Sequence, residues 1–530
     1  MPATTNSLFD RHSKQIEEVI NKNVDTILPS LDPAWRDTIV TSQGVGPASA
    51  IGRDMHILKL YRGGLTGVIE NAALRNDFVL YGDATTLLGA AQNQSKLYSQ
   101  SATQTWPDAL EGPAINSYRL GIGMRALLTN LAMTMGELQA EATPAFIGDV
   151  IAPKLKGFAQ NLSHTLCNYW YVSQNTGYAL AKFDTATYNV PAVSDTNQAT
   201  MTFIPDNYAI DRFYVGQRVD LYNDSAGSPS TATSDRVNAV SSGVTRVKCF
   251  VSAVDELKGE VSLRFFNNTG NNMATKTSGT VHVVLANTDG QNGSAFTGIA
   301  GINSWMKFGD ANGSTDNADN CLLGAERVTN DAINVNVHPE FKSFRVTSVG
   351  ALTEHKLRQY VRRFHAAKHK YGQSIDCLIA SDGVWLAYEA QKIGQYTLER
   401  TGRLSSLNRE GSEDGFKFTF EGRTYNGYTS TYIEDGVVYG LKKGGNNWKR
   451  YVPPDPKGVQ KFSEADSFIP FNFVVPALTG TASTKWPILT SSGQLTEAMQ
   501  MPGMLRMQLV PDQASGMKLE GVSTDRVWMS

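Results

Sequence analysis

The stretch SIDCLIASDGVWLAYEAQ, Ser374 to Gln391, decides how the second half of the chain is read. An apolar run through Ile375, Leu378 and Ile379 stops at Ser381-Asp382-Gly383. Trp385, Leu386 and the helix formers Ala387, Glu389 and Ala390 then take over. That order predicts strand, sharp turn and helix, the arrangement on which many α/β enzymes mount a nucleophile or a phosphate cradle. Ser381 is the nucleophile candidate. A nucleophile elbow needs glycine two residues before and two after the serine, and those positions hold Ile379 and Gly383. Half of that requirement is met. A helix cap at Ser381 or Asp382, with Gly383 easing the turn, needs only the residue types present and is the preferred reading.

Upstream, GALTEHKLRQYVRRFHAAKHKYG predicts a helix with Leu357, Tyr360, Val361 and Phe364 on one face, stopped by Gly372. His365 and His369 stand four apart on it, a spacing that can share a metal. The intervening residues are Ala366, Ala367 and Lys368, so the Glu of a zincin motif is missing. Arg362, Arg363, Lys368 and Lys370 would repel a cation, and a solvated basic face that could touch nucleic acid or an acidic neighbour explains the pattern better. Downstream, FKFTFEGRTYNGYTSTYIEDGVVYGL predicts three strands, with Asp435-Gly436 as a hairpin turn. LKKGGNNWKR and GIGMRALL contain glycines but neither a phosphate-loop lysine motif nor a dinucleotide fingerprint. No catalytic, cofactor-binding or metal-ligating set is assembled by the sequence, and no cofactor is expected.

Farther out, residues 1–55 begin with a short helical pattern at Phe9, Ile16, Val19 and Ile20, which Pro29 and Pro33 are expected to break, leaving an extended arm. Residues 56–116 carry short strand-like pieces and a long polar stretch unable to build its own core. From Ser117 the pattern turns helical: MRALLTNLAMTMGELQAEA offers Leu127, Leu131 and Leu138. A long amphipathic helix is expected from Thr143-Pro144 through Ile151, Leu155, Phe158, Leu162, Leu166 and Tyr169, kinked or restarted at Pro153. Within 206–290 the period changes to two. Val247, Cys249, Val251 and Ala253 share one face, as do Val261, Leu263 and Phe265, and Val281, Val283 and Leu285, with DELKG as a hairpin turn. RFYVGQRVDLYN adds a strand, and NDSAGSPSTATSD a long exposed loop.

The 48 basic and 50 acidic side chains of the 530 residues leave a net charge of −2, so no global field holds nucleic acid or an anionic membrane. Charged residues make up 18%, against about 25% for typical soluble domains, which suits a chain that covers its surface with other chains. Cys167, Cys249, Cys321 and Cys377 are too scattered for thiolate metal sites or redox pairs and read as small buried hydrophobes in a reducing compartment. The N-terminus lacks a signal-peptide layout, and no apolar run approaches the ~18 residues of a membrane span. Cytoplasmic folding without a membrane partner is expected.

Taken in order, these segments resemble the major capsid proteins of tailed bacteriophages, with their Hong Kong 97-type fold. The specific similarity lies in LRQYVRRFHAAKHKYGQSIDCLIASDGVWLAYEAQ, where the family's axial domain has helix, Gly, a strand of the form DxLIxSxxxxxxY and a second helix. FEGRTYNGYTSTYIEDGVVYGLKKGGNNWKR is similar to that domain's later strands, and PGMLRMQLVPDQASGMKLEGV to the final strand returning to the peripheral domain. The resemblance implies an α+β fold: N-terminal arm 1–55, extended loop 56–116, peripheral domain with spine helix 117–205, inserted antiparallel β-module 206–290, connector 291–345, axial domain 346–480 and C-terminal return 481–530. It further implies a structural, non-enzymatic protein that self-assembles into hexamers and pentamers. These would form an icosahedral head shell around double-stranded DNA, in the virion, assembled in the host cytoplasm. A separate scaffolding protein, a portal and a decoration or cement protein are the partners implied. Lys96 is the loop lysine that could enter the Lys–Asn cross-links some members form, though no local motif argues for it. Two alternatives stand: a hydrolase or transferase using the Ser381 turn, and a carbohydrate- or host-binding protein using the 206–290 module.

Overall fold

The computed structural model describes residues 6–41, 54–58, 119–123, 125–134, 151–172, 179–206, 210–225, 228–229, 235–240, 245–285, 299–309, 320, 322, 334–336, 339, 341–369, 372–396, 416–420, 423–443, 448–451, 471–473, 488–490, 498–511 and 513–525. The fold is α+β. Its organising strand is Cys377–Ala380, buried on both faces: Cys377 and Ile379 enter one apolar core, Leu378 and Ala380 another. Period-two pleating puts alternate side chains on opposite faces, so a strand covered on both sides reads as a continuous apolar run. It pairs in parallel with Arg423–Thr429 and antiparallel with Val437–Leu441, in a six-stranded mixed sheet completed by Phe416–Phe420, Met517–Glu520 and Phe344–Val346.

The N-terminal region departs from expectation. Helix α1 runs Asn6–Leu31, straight through Pro29. A proline clashes with the preceding turn and removes the amide donor that the Asp25 carbonyl would accept, but the ladder continues beyond it, with Asp32 N–H donating to the Leu28 carbonyl at 3.3 Å, so the cost is confined to one bond near the helix end. Asp32 then caps α2 (Pro33–Thr38), its carboxylate accepting from Ala34 N–H at 3.0 Å, with Pro33 in the first helical position where no donor is needed. Ile20, Val24 and Leu28 are at most 1% exposed and pack toward α3 (Ile151–Tyr171). Part of the expected arm, between Ile20 and Ile39, is therefore core.

Residues 125–134, expected helical, form a strand paired antiparallel with Ala498–Met507. Leu127 and Leu131 satisfy both a helical spacing and a two-residue alternation, and the fourteen-residue partner strand Ala498–Pro511 decides between them. The Thr143-Pro144 start and Leu138 lie outside the described residues, as do Cys321, Lys96 and Lys370. α3 begins at Ile151, which places Pro153 in its first turn. From Leu166 to Val172 every residue is buried, so amphipathicity ends where the helix enters the middle of the molecule.

The antiparallel module is a seven-stranded sheet ordered Ala179–Asp184, Thr280–Leu285, Arg218–Ser225, Lys248–Asp255, Glu260–Phe266, Gln198–Phe203, with Ser228–Pro229 on Arg218–Ser225. It draws in two strands from before residue 206, because Gln198–Phe203 and Ala179–Asp184 supply its edges. Asp255 pairs with Glu260, so DELKG is the expected hairpin. A bulge between Val251 and Ala253 turns Ala253 outward, correcting its place on the buried face. The strand expected over RFYVGQRVDLYN begins only at Arg218, since Gly216 adopts φ +88°. Part of the expected NDSAGSPSTATSD loop folds back as a ribbon, Asp224 pairing with Pro229.

Asp435-Gly436 is not a hairpin turn. Cys377–Ala380 lies between the strands before and after it, so the connection crosses over. The C-terminal stretch likewise splits: Ala498–Pro511 joins the sheet of Arg125–Thr134, but Met517–Glu520 inserts into the mixed sheet beside Val437–Leu441. A hydrogen bond from Trp305 Nε1, in the short helix α4 (Ile302–Trp305), to the Leu509 carbonyl at 3.0 Å ties the segment before this split to the core.

Candidate functional site

The Ser381 turn sits where the central strand passes into α6 (Asp382–Tyr396). Ser381 precedes the helix as expected, and its carbonyl accepts from Trp385 N–H at 3.3 Å. Its hydroxyl, however, donates to Asp435 Oδ1 and the residue is only 2% exposed. Gly383 lies inside the helix with ordinary helical backbone, and its carbonyl receives Asp525 N–H at 3.0 Å. The turn thus joins the 435 connection and the C-terminal segment to the sheet. A nucleophile needs an open approach and a base poised to take its proton, and this serine is buried on a carboxylate strut.

The histidine pair is divided. On α5 (Glu354–Lys368), capped by the Thr353 hydroxyl, His365 contacts Tyr425 Oη through Nε2 at 3.0 Å and accepts from Arg423 Nη1 at Nδ1, also 3.0 Å. A guanidinium against the imidazole is incompatible with a shared cation. His369 follows the helix and faces a recess also walled by Arg423 and Thr424. Among the described residues, no group of three or more His, Cys, Asp or Glu side chains is placed to hold a metal ion. Cys167, Cys249 and Cys377 are buried, and burial pushes their thiols up, away from thiolate reactivity. The glycines of GIGMRALL lie in the strand Arg119–Gly123, not in a phosphate loop.

A further polar construction is one the sequence reading passed over. It is the junction of arm, α3 and mixed sheet. Asp32, fully buried, accepts from Tyr171 Oη at 2.7 Å. Burial pushes its carboxyl up to about 6, against the opposing hydrogen bonds from Tyr171 and the Ala34 and Trp35 amides. Asp37 accepts from Tyr428 Oη at 2.8 Å and Lys443 Nζ at 3.1 Å. Burial opposes its ionisation too, but the bonds from Tyr428, Arg36 and Lys443 prevail and hold it below the usual carboxylate range. Arg450 reaches Asp25 at 2.9 Å, and Tyr432 Oη meets His164 Nδ1 at 2.5 Å. Arg212, 2% exposed, donates to the Tyr432 carbonyl at 2.6 Å and the Leu180 carbonyl at 3.0 Å, linking module to mixed sheet. Trp35, Trp170 and Trp448 stack edge-on beside these bonds, at 5.4 and 6.2 Å between centroids. Only Asp32-Pro33 carried a local signal, that of a cap before a proline. The other pairs lie between 32 residues apart, as Arg212 and Leu180 do, and 425 apart, as Arg450 and Asp25 do.

The arrangement holds segments of the chain together. No protein-family model matches the chain, and no curated protein matches it. Among solved structures it is similar to a cyanophage A-1(L) capsid asymmetric unit, with 9% identity, a TM-score of 0.35, and coverage of 94% of this chain and 92% of that chain. That likeness is slight. No helix among the described residues is long and apolar enough to cross a membrane.

Proposed function

We propose that this chain is a major capsid protein of the tailed-phage type, a structural subunit that assembles into hexamers and pentamers of an icosahedral shell around double-stranded DNA. The observation that carries the reading is the threading of the chain. Asp54–Leu58 and Arg119–Gly123 pair with each other and, among the described residues, with no other strand. A two-stranded ribbon is marginal in water and gains stability from what it lies against, which in a shell is a neighbouring subunit. Directly afterwards, Arg125–Thr134 joins the chain's late strand Ala498–Pro511, the long helix α3 follows, and the mixed sheet with α5 and α6 comes last. That order supports a reading as extended loop, peripheral domain with spine helix, inserted module and axial domain, as the sequence resemblance implies.

On this reading the module is an insertion between spine helix and axial domain. A separate scaffolding protein, a portal and a decoration or cement protein are the expected partners, and the virion is the expected location. The junction at Asp32, Tyr171 and Arg212 supports the reading by tying the arm, α3, the module and the 432 connection to one another. The test is the mass and shape of the purified chain by light scattering and negative-stain electron microscopy. Hollow shells, or rings of five or six subunits, are the expected result. A monomer or dimer that never assembles, even with scaffold supplied, would overturn it.

A further inference from the structure

The chain is close to neutral overall, yet α5 carries Lys356, Arg358, Arg362, Arg363 and Lys368 against a single acid, Glu354. Several of these charges have structural duties. Lys356 Nζ donates to the Val349 and Ala351 carbonyls at 2.8 and 3.0 Å, Lys368 Nζ to the Pro339 carbonyl at 2.6 Å, and Arg358 pairs with Glu354. Leu357, Val361 and Phe364 bury the inner face, which turns Arg362 and Arg363 outward, both exposed, beside the small Ala366 and Ala367. From the neighbouring strand Arg423 lays its guanidinium along the same side, 3.0 Å from His365 Nδ1. Beyond it opens a recess of about 500 Å³ between His369, Arg423 and Thr424. Its carboxylate, Asp376, already accepts from Lys443 N–H.

We infer that the outer face of α5, continued by Arg423 and the recess at His369, is a contact surface for the phosphate backbone of double-stranded DNA. The inference gives a place to the nucleic-acid contact of the proposed shell subunit and rests on that reading. Clustered arginines on a face lined by alanines meet phosphates as charges, without reading bases. Single strands call for exposed aromatic platforms, and the aromatic residues of this helix, Tyr360 and Phe364, are half-buried and buried. An acidic protein would match the charge too, and is one of the outcomes of the test.

The experiment uses the full chain, with binding of a short labelled DNA duplex followed by fluorescence anisotropy across a salt series. Replacing both Arg362 and Arg363 by Ala should weaken binding at least about tenfold at low salt and flatten the salt slope by roughly two. The pair Arg362→Lys with Arg363→Lys should retain binding, since a point charge suffices. An unchanged slope in the alanine variant would overturn the assignment, as would preference for a single strand. So would loss of assembly with duplex binding intact, which would make the face a protein contact. Light scattering on the same samples separates the two readings. Shells that ignore the duplex sink the surface alone, whereas a chain that binds the duplex through Arg362 and Arg363 but never assembles sinks the capsid reading.

Discussion

Replacing Asp32 by Asn should abolish a specific pH dependence of stability. Asp32 is fully buried and its carboxyl is pushed up from 3.8 to about 6, chiefly by desolvation. The folded chain therefore holds this proton at pH values where the unfolded chain has released it. Stability from this group is fully present below the unfolded value of 3.8 and is lost as pH rises through about 6. A shift of about two units corresponds to roughly 3 kcal/mol. Asn keeps an acceptor for Ala34 N–H, now 3.0 Å from Asp32 Oδ1, and cannot ionise. Denaturant unfolding of the dispersed chain, read by the fluorescence of Trp35 and Trp170 at this junction, gives both stabilities. Other titrating groups cancel in the difference. Relative to Asp32→Asn, the natural chain should lose roughly 3 kcal/mol between about pH 3.5 and about pH 7. A difference that is flat with pH, or that moves in the natural chain's favour as pH rises, would refute the argument.

Arg212→Ala should destabilise by about 2–4 kcal/mol in the same unfolding assay, because the Tyr432 and Leu180 carbonyls lose their buried donor, and Arg212→Lys should fail to restore both bonds. Gly301→Ala should sharply lower the yield of folded chain, since an added Cβ would sit 2.2 Å from the Tyr169 carbonyl at the end of α3; normal yield and melting temperature would contradict this close approach. Ser381→Ala should cost on the order of 1 kcal/mol through the lost bond to Asp435 and leave particle assembly intact. A turnover activity abolished by the same change would return the serine to a catalytic role.

The sequence by itself determined the elements whose signals are local. The strand Cys377–Ala380 and the helices on either side of it follow from an apolar run, an apolar face at Leu357, Tyr360, Val361 and Phe364, and a stop at Gly372. The alternating strands of the module follow from their two-residue period. Only the tertiary structure decided the rest. Leu127 and Leu131 fit a helix or a strand equally well, until a strand from the far end of the chain supplies hydrogen bonds along their whole length. Pro29 does not end α1, because tertiary burial of Val24 and Leu28 outweighs one missing amide bond in a terminal turn. The junction at Asp32 joins side chains as far apart in sequence as Asp37 and Lys443. Long-range polar pairing leaves no periodic trace, because each partner is fixed by the packing of the elements that carry it and not by its neighbours in the chain.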